Sequence, residues 1–230
     1  MNAIKISPTM LDAYRYYCSS DMSLEQYVQR LLGLEPPSHY MTIGIEFHKI
    51  FEDAAREAFS NYQWKPDVSK RKYNFAWKYL GAESKMPKIQ MPSVVEVPVK
   101  RQATIGGWAV TVSGRLDAVC GTTGVDYKTT WRAVDVDSFA DAFQWRMYLY
   151  LMPDLQDFRY EVFRLKNGNL PDDIDIIGHQ KFTMTRYVAL EREVEAEITE
   201  YIQFLLGLER NRLIRITPNG VEAWKPGDYR

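Results

Sequence analysis

The sequence predicts a single α/β (α+β) domain in which a helical N-terminal portion leads into a sheet. Apolar residues recur at helical spacing through most of the first ninety positions. From Val94 onward the pattern changes to short runs rich in β-branched residues, separated by glycine turns. No internal repeat or low-complexity linker divides the 230 residues, a length that one large domain accommodates. The expected organisation is a mostly helical portion over 1–90, a sheet core over 91–185, and a C-terminal helix with its tail over 186–230.

The helices come first. Ser7-Pro8-Thr9 opens one: Ser7 suits the cap and Pro8 the first helical position. Met10, Leu11, Tyr14 and Tyr17 then share a side. A second runs from Ser23 to Leu32 and stops at Gly33 and the Pro36-Pro37 pair. A third spans about Ile43 to Tyr62, with Phe47, Phe51, Ala54, Ala55 and Ala58 as its buried face. A fourth is expected over about Val68 to Leu80, because Tyr73, Trp77 and Leu80 recur at helical spacing.

Strands follow. Val94–Val99, Trp108–Ser113, Arg115–Cys120 and Gly124–Lys128 read as short strands. The turn signals at Gly106-Gly107 and Gly121–Gly124 predict consecutive hairpins. A helix is expected from Ser138 to Met152, ended by Pro153, then strands over Phe158–Leu165 and His179–Met184. Arg186 to Leu213 reads as a long acidic amphipathic helix, with Val188, Leu190, Val194, Ile198, Tyr201, Ile202 and Leu205 among its apolar positions. The tail from Pro218 shows little periodicity.

Composition narrows the function. With 46% apolar and 26% charged residues, the chain reads as a soluble globular protein. No apolar run approaches the roughly 18 residues of a membrane span, and the N-terminus lacks the apolar core of a secretory signal. Two cysteines, Cys18 and Cys120, exclude a disulfide framework and a four-thiolate iron–sulfur cluster. A cytoplasmic, reduced protein is expected, and with no Gly-xxxx-Gly-Lys-Ser/Thr loop there is no sign of ATP use. Net charge is −1, yet positions 61–88 hold seven basic residues against two acidic ones. Tyr62, Trp64, Tyr73, Phe75, Trp77 and Tyr79 are interleaved with them. Basic side chains neutralise phosphates and aromatic faces stack on unpaired bases; a solvated helix with a core stripe accounts for the same residues. Lys70, Arg71 and Lys72 are the candidate DNA contacts.

The segment that carries chemistry runs from Ser113 to Thr130. Asp117 and Asp126 would sit on neighbouring strands joined at the Gly121–Gly124 turn, and Lys128, two residues past Asp126, would share its face. Two carboxylates suit a hard divalent cation such as magnesium. Lys128 would orient a bound water, assist its deprotonation or offset charge developing on a phosphate, and the Tyr127 carbonyl is a further candidate ligand. Aspartates also flank ordinary surface hairpins. His48 lies near the edge of an apolar helix face, where a satisfied core histidine is the usual occupant. Glu52, one turn later, is placed to orient the imidazole or join the site.

Gly114-Arg115-Leu116-Asp117, followed by Val125-Asp126-Tyr127-Lys128-Thr129, resembles the core of the PD-(D/E)XK nuclease superfamily and, more narrowly, its RecB-like exonuclease branch, which includes the CRISPR-associated adaptation nucleases. Three further pieces are similar to that branch in chain order: Ile6-Ser7-Pro8-Thr9-Met10-Leu11 with Tyr14 and Cys18; Gly44-Ile45-Glu46-Phe47-His48 with Glu52; and Gln144-Trp145-Arg146-Met147-Tyr148. The resemblance implies a restriction-endonuclease-like mixed central sheet flanked by helices. It implies that His48, Asp117, Asp126 and the Tyr127 carbonyl bind Mg2+, with Mn2+ able to substitute, and that Lys128 is catalytic. It further implies that Gln144 and Tyr148 contact DNA, with Arg115 and Glu52 in support. The implied activity is a DNA exonuclease acting in recombination, repair or phage DNA processing; a structure-specific or nicking endonuclease and a non-catalytic DNA-binding protein are the alternatives. The implied partners are DNA, further copies of the chain, and recombination or replication proteins. The chain departs from the branch at Ser19, where proline is usual, and in lacking the four cluster cysteines.

Overall fold

A computed structural model describes residues 2–61, 72–78 and 87–225. Its centre is a seven-stranded sheet in the order β1-β4-β5-β6-β7-β2, with β3 paired to β4. The strands are β1 (Ala3–Ile6), β2 (Asn74–Trp77), β3 (Val94–Ile105), β4 (Trp108–Cys120), β5 (Thr123–Thr130), β6 (Asp157–Asn167) and β7 (Asp173–Thr185). The helices are α1 (Pro8–Ser19), α2 (Leu24–Leu31), α3 (His39–Asn61), α4 (Val136–Asp141), α5 (Gln144–Leu151) and α6 (Leu190–Arg210). A mixed sheet flanked by helices is the restriction-endonuclease-like α+β arrangement that the sequence predicts. No described helix is long and apolar enough to cross a membrane.

Local chemistry sets the element ends. Ser7 caps α1 by accepting from the Met10 N–H, with Pro8 in the first turn. Ser23 and Gln26 form a reciprocal capping box at α2. Gly106 and Gly107 both take positive φ, 56° and 81°, the combination that a two-residue hairpin turn requires. That turn joins β3 and β4 in an antiparallel ladder running from Val94↔Val119 to Ile105↔Trp108.

Two apolar cores lie on the sheet. One gathers residues of α1, α2, α5 and α6, including Leu11, Tyr27, Leu149 and Tyr201. The other packs Phe47 and Phe51 of α3 against Val125, Tyr127 and Phe163. β5 and β6 pair in parallel, which requires a crossover, and α4 with α5 supplies it. Glu161, buried in β6, is held between Arg159 at 2.9 Å and His179 at 2.6 Å.

Several expectations are corrected. The helix expected over Val68–Leu80 is replaced, in its described part, by the strand Asn74–Trp77, parallel to β7. Tyr73 and Phe75 are buried two residues apart, a strand period that the 73–77 spacing masked. The N-terminal portion also opens on a strand: Ile4 and Ile6 are buried as β1 joins β4. Trp108–Cys120 is one strand where two were expected. The helix expected over Ser138–Met152 is two helices broken at Ala142-Phe143. α6 begins at Leu190, leaving Val188 fully exposed outside it. Beyond α6 the chain forms a hairpin, β8 (Ile214–Thr217) with β9 (Gly220–Ala223).

Candidate active site

The β4–β5 ladder lasts three residue pairs, from Cys120↔Thr123 to Ala118↔Val125, and then the strands part. On the other edge of β4, the β3 partner of Asp117 would be Glu96. That residue takes φ 52° and is missing from an otherwise regular register. The Asp117 carboxylate fills the opening between β4 and β5: its Oδ2 accepts the Tyr127 backbone N–H at 2.9 Å. Aspartate here does the work of a ladder carbonyl, and brings a charge into the split.

Asp126 follows on β5 and is buried, 3% exposed. The Lys128 ammonium lies 3.1 Å from its Oδ1 and 2.8 Å from its Oδ2. Gln144 Nε2 donates to Oδ1 at 3.3 Å. From the opposite side of the sheet, α3 delivers His48, whose Nδ1 is 3.3 Å from Asp117 Oδ2 and whose imidazole lies beside the Tyr127 backbone. α3 crosses close to β5 at Gly44, where a Cβ would stand 3.2 Å from Thr129 Oγ1, a tight contact that the Thr129 side chain would have to relieve.

Protonation follows from this crowding. Burial, then the neighbouring Asp126 charge, push the Asp117 carboxyl well above the usual carboxylate range. Burial also lowers the His48 pKa, against the pull of Asp126, so its imidazole is neutral and able to act as a ligand. For Lys128, burial works against the charge, but Asp126 and Asp117 outweigh it and the net shift is upward; the side chain is an ammonium.

The expected site residues are distributed unevenly. Two sets form: His48, Asp117 and Tyr127 touch one another, as do Asp126, Lys128 and Gln144, and the charges of the second set act on Asp117. Glu52 lines the same hollow as His48 and Asp117 and pairs with Arg56 at 3.5 Å, while His48 is oriented by Asp117 and Tyr127. Tyr148 is buried and stacked on Phe158, and its hydroxyl donates to the Arg115 carbonyl at 2.6 Å, bracing the strand that carries Asp117. The Arg115 guanidinium is exposed and pairs with Glu96 at 3.0 Å. Lys72 is exposed, its ammonium 5.7 Å from the Tyr73 ring centroid. Lys70 and Arg71 lie outside the described residues.

Two residues that nothing in the sequence marks also belong here. Asp12, on α1, accepts the N–H groups of Phe143 at 2.8 Å and Gln144 at 3.1 Å. It therefore caps α5 from another helix and fixes the start of the turn that aims Gln144. Burial raises its carboxyl pKa against those two hydrogen bonds. Glu96 lines the hollow beside His48, Glu52 and Asp117.

Carboxylates and a backbone carbonyl are the donor types that a hard cation takes. Asp126 Oδ2 is buried without a hydrogen bond among the described residues, although the Lys128 ammonium is close. A carboxyl whose charge is resisted by a second carboxylate is one that a divalent cation would stabilise as the anion. Among the described residues no three His, Cys, Asp or Glu groups stand ready-made around one point: His48 is turned onto Asp117 and Lys128 onto Asp126, so the carboxylate oxygens face their own neighbours.

No protein-family model matches the chain, and no curated protein matches it. Among solved structures it is similar to SSO0001, with a TM-score of 0.48 and 15% identity over 88% of this chain and 78% of that one. It is also similar to LHK-Exo in complex with dAMP, with a TM-score of 0.42 and 17% identity over 90% and 92% of the two chains.

Proposed function

We propose that this chain is a divalent-metal-dependent DNA nuclease, working as an exonuclease at DNA ends in recombination, repair or phage DNA processing. The observation that carries the reading is the split between β4 and β5, where the Asp117 carboxylate replaces a backbone acceptor and feels the charges of the Asp126–Lys128 pair. A fold that needed only a hairpin would close this ladder with backbone groups and keep both carboxylates in water.

Asp117, Asp126, neutral His48 and the Tyr127 carbonyl would hold Mg2+ or Mn2+. When bound, such an ion polarises a phosphoryl oxygen and lowers the pKa of a coordinated water. Gln144 holds one oxygen of Asp126 in place, and a bound ion would share the other with the Lys128 ammonium. Lys128, kept as an ammonium by the two carboxylates, offsets the charge that develops on the phosphate. Its upward shift supports that role over proton abstraction. Tyr148 braces the Asp117 strand and Asp12 braces Gln144, so both position rather than react. Lys70, Arg71 and Lys72 would neutralise phosphates of the approaching DNA.

The test uses end-labelled linear DNA and closed circular DNA, each with magnesium, manganese or a chelator, beside Lys128→Ala and Asp117→Ala. Metal-dependent loss of label from linear DNA alone, absent in both variants, is the expected result. Nicking of circles would assign an endonuclease to the same centre. Binding without cleavage by the native protein would overturn the enzyme reading.

A further inference from the structure

We propose that the Tyr160 hydroxyl is a substrate contact, donating to a phosphate oxygen of a DNA strand that lies in the groove between α1 and the α4–α5 turn. The inference rests on the nuclease reading and deepens it by naming a contact that no motif in the sequence marks.

Tyr160 is fully buried, yet its hydroxyl has no hydrogen-bond partner among the described residues. Other buried tyrosines behave differently. Tyr14 donates to Glu200, Tyr27 to Tyr201, Tyr148 to the Arg115 carbonyl and Tyr150 to Glu195. A buried polar group left unpaired costs stability, and such an exception calls for a reason. The ring is held by its neighbours rather than free to turn toward an acceptor. The rings of Phe158, Phe139 and Phe182 stand 5.0, 5.1 and 5.7 Å from it.

Its place in the sheet ties the hydroxyl to the centre. Tyr160 is the β6 partner of Asp126, so the two side chains share a face, with their strands about 4.8 Å apart. Asp126 and Asp12 both act on the phenol through their charges, and with burial they keep the proton on its oxygen. The groove on that face encloses about 2220 Å3 and is lined by Asp12, Lys128, Phe139, Phe143, Gln144 and Tyr160, among others. The hollow that His48, Glu52 and Asp117 line encloses about 170 Å3. A polynucleotide strand therefore has room on the Lys128 side and none in the hollow.

The chemistry selects the occupant. The Lys128 ammonium and the Gln144 amide are both engaged with Asp126, whereas the Tyr160 proton is engaged with no described group. A donor kept dry and unpaired beside a lysine suits an acceptor that arrives with the substrate. The charged oxygens of a phosphodiester are such acceptors, and hydrogen bonds to charged groups are the stronger kind. A base edge would make the contact depend on sequence; a phosphate is present at every step of the strand.

The experiment compares Tyr160→Phe with the native chain. Thermal melting should place the variant at or above the native temperature, because the hydroxyl it removes has no internal acceptor. Calorimetric titration should give the variant native Mn2+ affinity. Anisotropy of fluorescein-labelled linear DNA, in chelator so that nothing is cut, should show weaker binding by the variant. Single-turnover cleavage with magnesium should slow by about 10- to 100-fold, as loss of a hydrogen bond to a charged group implies. A lower melting temperature or failure to fold would assign the hydroxyl a structural partner and overturn the proposal. Reduced Mn2+ affinity would also overturn it, by placing the effect on Asp126. Native cleavage, with native-like binding and rate in Tyr160→Phe, removes the contact and leaves the nuclease. DNA binding that depends on the hydroxyl, without native cleavage, removes the nuclease and supports the contact.

Discussion

The Asp117 carboxylate accepts the backbone N–H of Tyr127 at 2.9 Å, at the point where the ladder between their strands has ended. One side chain thus satisfies a backbone donor and carries a charge into the site. These two roles separate by mutation. Asp117→Asn keeps an acceptor and removes a charge that its surroundings resist, so it is expected to melt at or above the native temperature. Asp117→Ala leaves the N–H without its partner and should be about 1–3 kcal/mol less stable than Asp117→Asn. Both should lose cleavage. Thermal melting of the pair checks this, and equal stability of the two variants would show that the hydrogen bond carries no weight.

Glu96 is a non-glycine residue at φ 52°, in a conformation that costs an L-residue about 1–2 kcal/mol. Its pair with Arg115 involves a guanidinium whose side chain is 70% exposed, so that contact contributes little. Glu96→Gly and Glu96→Ala lose the same carboxylate and differ in the strain. The glycine variant should be the more stable by about 1 kcal/mol, as read by urea unfolding. Both should show reduced metal-dependent cleavage, because the carboxylate faces the hollow shared by His48 and Asp117.

High pH should loosen the layer formed by α1, α2 and α6. Tyr27 is buried, and its hydroxyl donates to Tyr201 at 3.3 Å. Burial pushes its pKa from the ordinary 10.0 up to about 12. In the unfolded chain the phenol ionises near 10, whereas in the fold it stays neutral to about 12. The folded state therefore binds the proton more tightly, and stability is fully present below pH 10 and lost as pH rises from 10 toward 12. Unfolding midpoints measured at pH 8, 10 and 11, about this window, should fall between the last two. Tyr27→Phe should show a smaller fall.

Much of this arrangement is legible in the sequence because it is local. Ser7-Pro8 announces α1, Gly106-Gly107 announces the β3–β4 turn, and Asp126 with Lys128 two residues on announces a shared strand face. What escapes is set by distant partners. Asp12 caps α5 from 131 residues away, and α5 has no cap of its own, so the break at Ala142-Phe143 has no local sign. The strain at Glu96 is invisible because left-handed backbone is usually signalled by glycine. Around β2, Tyr73 and Trp77 fit a helix and a strand alike, and Phe75 between them is the residue that decides. The C-terminal hairpin did carry a sign, the Pro218-Asn219-Gly220 turn.

Direct metal binding probes the split between β4 and β5 more closely than any activity. Calorimetric titration of Mn2+ into the native protein should show binding that Asp126→Ala weakens by at least about 100-fold. Lys128→Ala, by removing an ammonium 2.8 Å from Asp126 Oδ2, should bind the ion at least as tightly as the native chain while cutting no DNA. Native-like Mn2+ affinity in folded Asp126→Ala, or no Mn2+ binding by the native protein, would contradict the account.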